Sequence, residues 1–232
     1  MNIYQDICDC ALKDGSSFIS GTGGGGKTTF LINCASYLRS LGKKILITTT
    51  TKLRSPYEMS YGVDFVFGST QEVLDFNPQG PCTVFFAIGD KTCQKWTSSD
   101  FEVFDVLKQR YDVIINEADG SRGAPLKIHT QRDPNIPPQN DYTVCIMGLW
   151  GIGENACEVA FGEERSILVD EDYLNWYLDN EEGLLKRTQS GQRAIIFNGA
   201  DKANYDVVRN LKYPSDVKVF VASLREGKEY DF

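Results

Sequence analysis

The segment Gly21-Thr22-Gly23-Gly24-Gly25-Gly26-Lys27-Thr28-Thr29 restricts this chain more than any other feature. It satisfies the spacing G-x-x-x-x-G-K-[ST]. A short apolar stretch, Ser17 to Ser20, precedes it, and Phe30, Leu31, Cys34, Ala35, Leu38 and Leu41 follow at helical spacing. A strand, a glycine loop and a helix in that order make a phosphate-binding loop. Triphosphate oxygens need several converging backbone N–H groups in a tight concave turn, and glycine reaches the required angles without a Cβ in the way. The N-terminus of the following helix adds partial positive charge. The expected nucleotide-binding residues are Gly23, Gly24, Gly25, Gly26, Lys27, Thr28 and Thr29. Lys27 is expected to reach from an exposed loop to the β- and γ-phosphates, Thr28 to ligate Mg²⁺, and Thr29 to donate on the α-phosphate side. Thr22 stands where dimeric ATPases with a KGGxGK loop carry a second lysine. An inter-subunit lysine mechanism therefore finds no support, while a homodimer of another kind stays open.

The rest of the chain alternates between two periodicities. Residues 44–48, 63–67, 83–88, 112–115, 142–147, 193–197 and 217–221 read as strands. Gly42 sits where a glycine ends a helix. Ser69-x-x-Glu72 and Ser99-x-x-Glu102 read as capping boxes, the second opening a stripe of Phe101, Phe104 and Leu107. Helices are also expected over 171–178 and 203–211. Strands alternating with helices imply right-handed crossovers, hence an α/β, three-layer P-loop fold whose central sheet is mostly parallel and flanked by helices. With 232 residues, one domain covering the whole chain is expected. Residues 120–139, with Pro125, Pro134, Pro137 and Pro138, read as a long ordered loop, whose Arg122, Lys127 and Arg132 would face a ligand.

In Asn116-Glu117-Ala118-Asp119-Gly120 the two carboxylates stand two residues apart at a strand end, so extended geometry puts both on one face. Open parallel sheets bind ligands at this end. Glu117 and Asp119 are therefore expected to share Mg²⁺ with Thr28, and Lys27, Glu117 and Asp119 to be catalytic, Glu117 on the metal side or orienting water. A polar strand end leading into a turn is the plainer alternative. The run Thr48-Thr49-Thr50-Thr51 ends a neighbouring strand; its hydroxyls either face the γ-phosphate and Mg²⁺ or reflect β-propensity alone. Further on, Asn198-Gly199-Ala200-Asp201 follows a late strand. A carboxylate there would accept from guanine's N1–H and amine, and Asn198 would fix the loop, although Gly199 replaces the lysine of the usual NKxD pattern. Ala222-Ser223-Leu224, ending the next strand, resembles the segment beside guanine in GTPases. GTP or ATP is thus the expected nucleotide.

The formal net charge is −8 and no dense basic run occurs, so neither nucleic acid nor an anionic membrane is an expected partner. The N-terminal segment lacks a leader's basic and apolar regions, and no stretch approaches a membrane span, so a cytoplasmic location is expected. Seven cysteines without a CxxC pair read as reduced thiols. Cys8-x-Cys10 is a weak metal candidate. With His129 the only histidine, a histidine-based triad or metal site has little material.

Taken together, GGGGKTTFL, TTTTKL, NEADGSRGAPLK and NGAD resemble the YqeC family, accessory proteins of selenium-dependent molybdenum hydroxylases. Two departures stand out: the family's His-Glu-Pro is Arg132-Asp133-Pro134, and its NKxD is NGAD. The resemblance implies a P-loop fold of the signal-recognition, MinD and BioD class. It also implies an NTPase serving maturation of a molybdenum hydroxylase, with that enzyme or a component of its cofactor as partner. A small-molecule phosphotransferase or nucleotidyltransferase and a non-catalytic nucleotide-gated module are the competing readings.

Overall fold

Apolar side chains alternating along each strand require cover on two faces, and the fold supplies it. The computed structural model describes residues 2–12, 17–188 and 192–232. In chain order its elements are α1 (Ile3–Ala11), β1 (Ser17–Gly23), α2 (Lys27–Ser40), β2 (Lys44–Thr49), β3 (Leu53–Arg54), β4 (Phe65–Phe67) and α3 (Thr70–Asp75). Next come β5 (Cys82–Phe86), β6 (Lys95–Trp96), α4 (Val103–Leu107), β7 (Val113–Glu117), β8 (Leu126–Lys127), β9 (Tyr142–Gly148), α5 (Ala156–Val159) and β10 (Ala160–Phe161). The last elements are α6 (Glu171–Asp179), β11 (Gln192–Asn198), β12 (Val217–Ser223) and β13 (Lys228–Tyr230), with 3₁₀ turns at Leu149–Gly151 and Asp206–Asn210.

Nine strands form one sheet in the order β13-β12-β11-β9-β1-β7-β2-β5-β4. Within it only β13 runs antiparallel to its neighbour. The alternation is visible in β2, where Ile45 and Ile47 pack with Phe30, Leu31 and Leu38 of α2 and Ile7 of α1. Leu46, between them, packs on the opposite face with Phe104 and Leu107 of α4 and Val73 of α3. In the other half of the sheet, Cys145 and Met147 of β9 meet Leu174 and Tyr177 of α6 on that same opposite face. The expected three layers follow. The centre of the sheet is β1, between β7 and β9. From β1 the order runs outward in both directions, so the glycine loop leaves the carboxyl end of a strand where the sheet's order reverses, the usual ligand crevice of open α/β sheets.

Local signals fared unevenly. The Ser69 and Glu72 capping box is present. Ser99 caps nothing: α4 starts later, its N-cap is Glu102, and no side chain caps it. The buried contacts of Val103, Phe104 and Leu107 set that helix, overriding the cap pattern. Residues 203–211 form a short 3₁₀ turn at Asp206–Asn210 in place of an α-helix. Helix α1 was not anticipated; Asn2 caps it, and Ile3, Tyr4, Ile7 and Cys8 make its buried face. That helix also removes the Cys8-x-Cys10 metal reading, because positions two apart on an α-helix point about 200° apart. Cys8 packs against Cys34 at 3.9 Å, and Lys218 Nζ donates to Cys10 Sγ at 2.8 Å. Among the described residues, no helix is long and apolar enough to cross a membrane.

Candidate functional site: a phosphate loop backed by a buried carboxylate

The glycine loop divides its backbone donors between two tasks. The N–H of Gly23 donates to Asp119 Oδ2 at 2.8 Å, that of Gly24 to the Ile146 carbonyl at 2.8 Å, and that of Gly25 to the Ala124 carbonyl at 2.9 Å. The N–H groups of these three glycines are thus engaged within the protein and shape the loop. Gly25, at φ +67°, packs so closely that a Cβ would lie 2.3 Å from the Gly148 nitrogen. Gly26, at φ +136°, turns the chain into α2. The first helical bond runs from Phe30 N–H to the Gly26 carbonyl at 2.9 Å. The N–H groups of Lys27, Thr28 and Thr29 precede that bond and so have no helical acceptor, and these three residues line the crevice.

Lys27 is buried, 4% exposed, where an exposed loop was expected. Its ammonium donates to the Gly23 carbonyl and, at 3.1 Å, to Ser121 Oγ. It also lies 3.0 Å from Asp119 Oδ1. Asp119 is fully buried behind the loop, where His129 Nε2 approaches its Oδ2 at 2.7 Å. His129 Nδ1 in turn lies 2.8 Å from the Gly183 carbonyl. Both ring nitrogens of His129 thus lie against oxygen atoms of distant segments. Burial alone would raise the Asp119 pKa, but Lys27, the His129 hydrogen bond and charge, and Lys127 hold it well below the usual carboxylate range. Asp119 and Glu117 do not share the one face that extended geometry predicts. The chain turns after β7, so Glu117 faces the crevice and Asp119 faces inward.

Glu117 ends β7 and accepts from the Thr28 hydroxyl, Oε2 to Oγ1, at 3.0 Å. Burial raises its pKa against the opposing pull of Lys27 and Thr28. The threonine run supports this strand end: Thr49 Oγ1 donates to the Glu117 carbonyl at 2.9 Å, and Thr50 Oγ1 to the Asn135 carbonyl at 2.5 Å. Of the four threonines, only Thr51 lines the crevice.

The long loop is ordered by its own polar groups. Lys127 is buried, donates to the Gly120 carbonyl at 2.8 Å and pairs with Asp133. Tyr177 Oη accepts from Lys127 N–H at 3.1 Å and donates to its carbonyl at 2.8 Å. Lys127 is thus a strut; Arg122 alone of the loop's expected ligand-facing cations lines the crevice.

On the opposite flank, Asn198 Nδ2 donates to the Gly25 carbonyl at 2.7 Å while its Oδ1 accepts from Leu224 N–H at 2.9 Å. Asn198 therefore ties the phosphate loop to the end of β12. Asp201 lies partly exposed in the turn that follows β11. Trp150, unmarked in the sequence, is 47% exposed. Its ring covers Gly199, so that a Cβ on that glycine would meet it at 3.0 Å. In front of Lys27, Thr28 and Glu117 opens a chamber of about 890 Å³.

Residues 19–164, more than half of the chain, match the family described as YqeC protein. The chain belongs to that family. Over 153 residues it is 33% identical to the YqeC protein of Escherichia coli (strain K12), a match covering 63% of this chain and 57% of that protein. Two solved structures are similar in outline. The MinC:MinD cell division protein complex of Aquifex aeolicus aligns at TM-score 0.47 and 16% identity, over 92% of this chain and 87% of that one. The MinD cell division protein of Aquifex aeolicus aligns at TM-score 0.42 and 15% identity, over 92% and 88%. The family match ends before Asn198 and Asp201.

Proposed function

We propose that this member of the YqeC family is a Mg²⁺-dependent nucleoside triphosphate-binding protein and an NTPase, using GTP in preference to ATP. The observation that carries the reading is the Thr28 hydroxyl held 3.0 Å from Glu117 Oε2 beside the unpaired N–H groups of the first turn of α2. The donors suit the metal. A hydroxyl and a carboxylate are hard oxygen ligands, and Mg²⁺ commonly takes one or two protein oxygens and completes its shell with phosphate and water. Among the described residues no group of three or more His, Cys, Asp or Glu could hold a metal ion, which fits an ion shared with a phosphate chain. Mg²⁺ bound there would supply positive charge to the β- and γ-phosphate oxygens.

In this reading the N–H groups of Lys27, Thr28 and Thr29 receive the phosphates, and the Lys27 ammonium swings from the Gly23 carbonyl to them. Glu117 supports the metal side or orients water. Asp119 is a positioning residue: it fixes Gly23 and Lys27 from behind and does not ligate the metal. Hydrolysis would drive a service to a molybdenum hydroxylase or its cofactor, a role that rests on the family resemblance alone. Calorimetric titration of GTP and ATP with and without Mg²⁺, followed by single-turnover phosphate release, tests the core of the reading. No binding of either Mg²⁺-nucleotide would overturn it.

A further inference from the structure

We propose that the chamber in front of Lys27 binds a second small molecule, a phosphate ester, through Arg54, Lys95 and Arg122, so that it faces the end of the triphosphate. The proposal rests on the nucleotide reading above and adds a ligand to the same crevice. Its first support is charge. In a chain of net charge −8, the chamber gathers Lys52, Arg54, Lys95 and Arg122 around Lys27, against Glu117 and Asp133 alone. Asp133 is already paired with Lys127, and among the described residues none of those four outer cations has a carboxylate partner.

The second support is a pairing that the fold would avoid without a reason. Strands β3 and β6 form a two-residue antiparallel ribbon at the chamber wall, and its register sets Arg54 directly opposite Lys95. Like charges directly opposite one another weaken such a pair, and among the described residues no carboxylate pairs with either. An anion between them would relieve the repulsion. The third is backbone: Arg122 adopts φ +51°, a left-handed conformation uncommon outside glycine, and its guanidinium lies 5.1 Å from the centre of the Phe161 ring. The guanidinium is thus held at the rim of the same space.

Size and lining identify the occupant's class. Gly25 to Thr29 line one part of the chamber of about 890 Å³, so the phosphates would take a share of it, and Asn198 fixes the flank of the loop where the base is expected. Pockets for whole small molecules span ~300–1,000 Å³. Met59, Tyr61 and Phe161 give part of the wall an apolar surface for an organic body. Guanidinium forks beside an ammonium match phosphate oxygens in geometry and charge.

Flavin mononucleotide, a fluorescent phosphomonoester with a flat body, serves as the probe, and riboflavin as its phosphate-free control. Both are titrated into the full chain saturated with Mg²⁺ and a non-hydrolysable triphosphate, and into the free protein. Flavin mononucleotide should bind about tenfold more tightly than riboflavin. Arg54→Ala and Lys95→Ala should each remove most of that difference while leaving triphosphate affinity unchanged. Arg54→Ala should also raise the Tm of the unliganded protein, because it ends the repulsion with Lys95. The inference is overturned if the two flavins bind alike, if the triphosphate displaces the probe, or if Arg54→Ala leaves probe affinity intact. Should the triphosphate itself not bind, the nucleotide reading falls. Arg54-dependent binding to the free protein would still support the phosphate cradle, and its absence would overturn that too.

Discussion

Lys27 Nζ lies 3.0 Å from Asp119 Oδ1 beneath the glycine loop, so the residue that is to meet the phosphates also neutralises a fully buried carboxylate. Lys27→Ala should therefore do two things. It should abolish triphosphate binding, and it should destabilise the fold, because removing one partner of a buried pair costs on the order of 3–5 kcal/mol. His129 still faces Asp119 at 2.7 Å, which places the expected loss at the lower end of that range. Adding Asp119→Asn should restore much of the melting temperature and none of the binding. Scanning fluorimetry and calorimetry on the two variants check both halves. A single variant as stable as wild type would mean that the pair does not hold the loop.

Glu117→Gln separates chemistry from folding. Burial raises the pKa of Glu117, so its ionised form is unfavourable in the unliganded protein. A glutamine oxygen can still accept from Thr28, which donates to Glu117 at 3.0 Å. The variant should melt higher than wild type, while single-turnover phosphate release falls more than triphosphate affinity. Equal losses in turnover and affinity would make Glu117 a ground-state ligand only.

The parts of this fold legible in the sequence were those set by short-range pattern: the glycine loop, the alternating strands and the Ser69 capping box. The direction of a side chain just past a strand end was not. Glu117 and Asp119 are two apart, yet the backbone leaves β7 between them, so the period-two rule no longer governs the second. The role of His129 was equally hidden, because its partners Asp119 and Gly183 come from distant segments. Trp150 carried a faint signal, a large aromatic beside glycines at a strand end. The mirror of that signal, Gly199 where the usual pattern has lysine, becomes intelligible only when the two are seen in contact.

The junction of α1 with β13 should respond to pH. Burial, reinforced by a hydrogen bond and charge from Asp6, raises the pKa of Glu229 to about 7. A carboxyl whose folded pKa is raised binds its proton more tightly in the native state, so its contribution is present at low pH and is lost as pH rises through about 7. The melting temperature of wild type, relative to Glu229→Gln, should fall across the interval from about pH 5 to 8. Hydrogen exchange should show the loosening first in Ile3–Ala11. Parallel pH curves for the two proteins would remove the Asp6 and Glu229 pair from the argument.

Base selection should depend on Asp201 and Trp150 in different ways. Asn198 is spent on Gly25 and Leu224, which leaves Asp201, partly exposed in the next turn, as the group able to accept from guanine's N1–H and amine. Adenine would present an acceptor to that carboxylate, a mismatch of about 1–3 kcal/mol per unpaired group. Asp201→Asn should therefore erase the preference for GTP over ATP and favour xanthosine triphosphate, whose 2-oxo group accepts from the new amide. Trp150 covers Gly199, where lysine would otherwise run along the base, and offers an exposed ring in its place. Stacking does not distinguish bases strongly, so Trp150→Ala should weaken GTP, ATP and xanthosine triphosphate alike, by roughly 1–3 kcal/mol. Nucleotide should also quench the tryptophan fluorescence of wild type more than that of the variant. Competitive titration of the three triphosphates against wild type and both variants reads these outcomes directly. ATP binding more tightly than GTP to wild type, or unchanged selectivity in Asp201→Asn, would reduce the Asn198 to Asp201 segment to a strand-end turn that merely braces the phosphate loop.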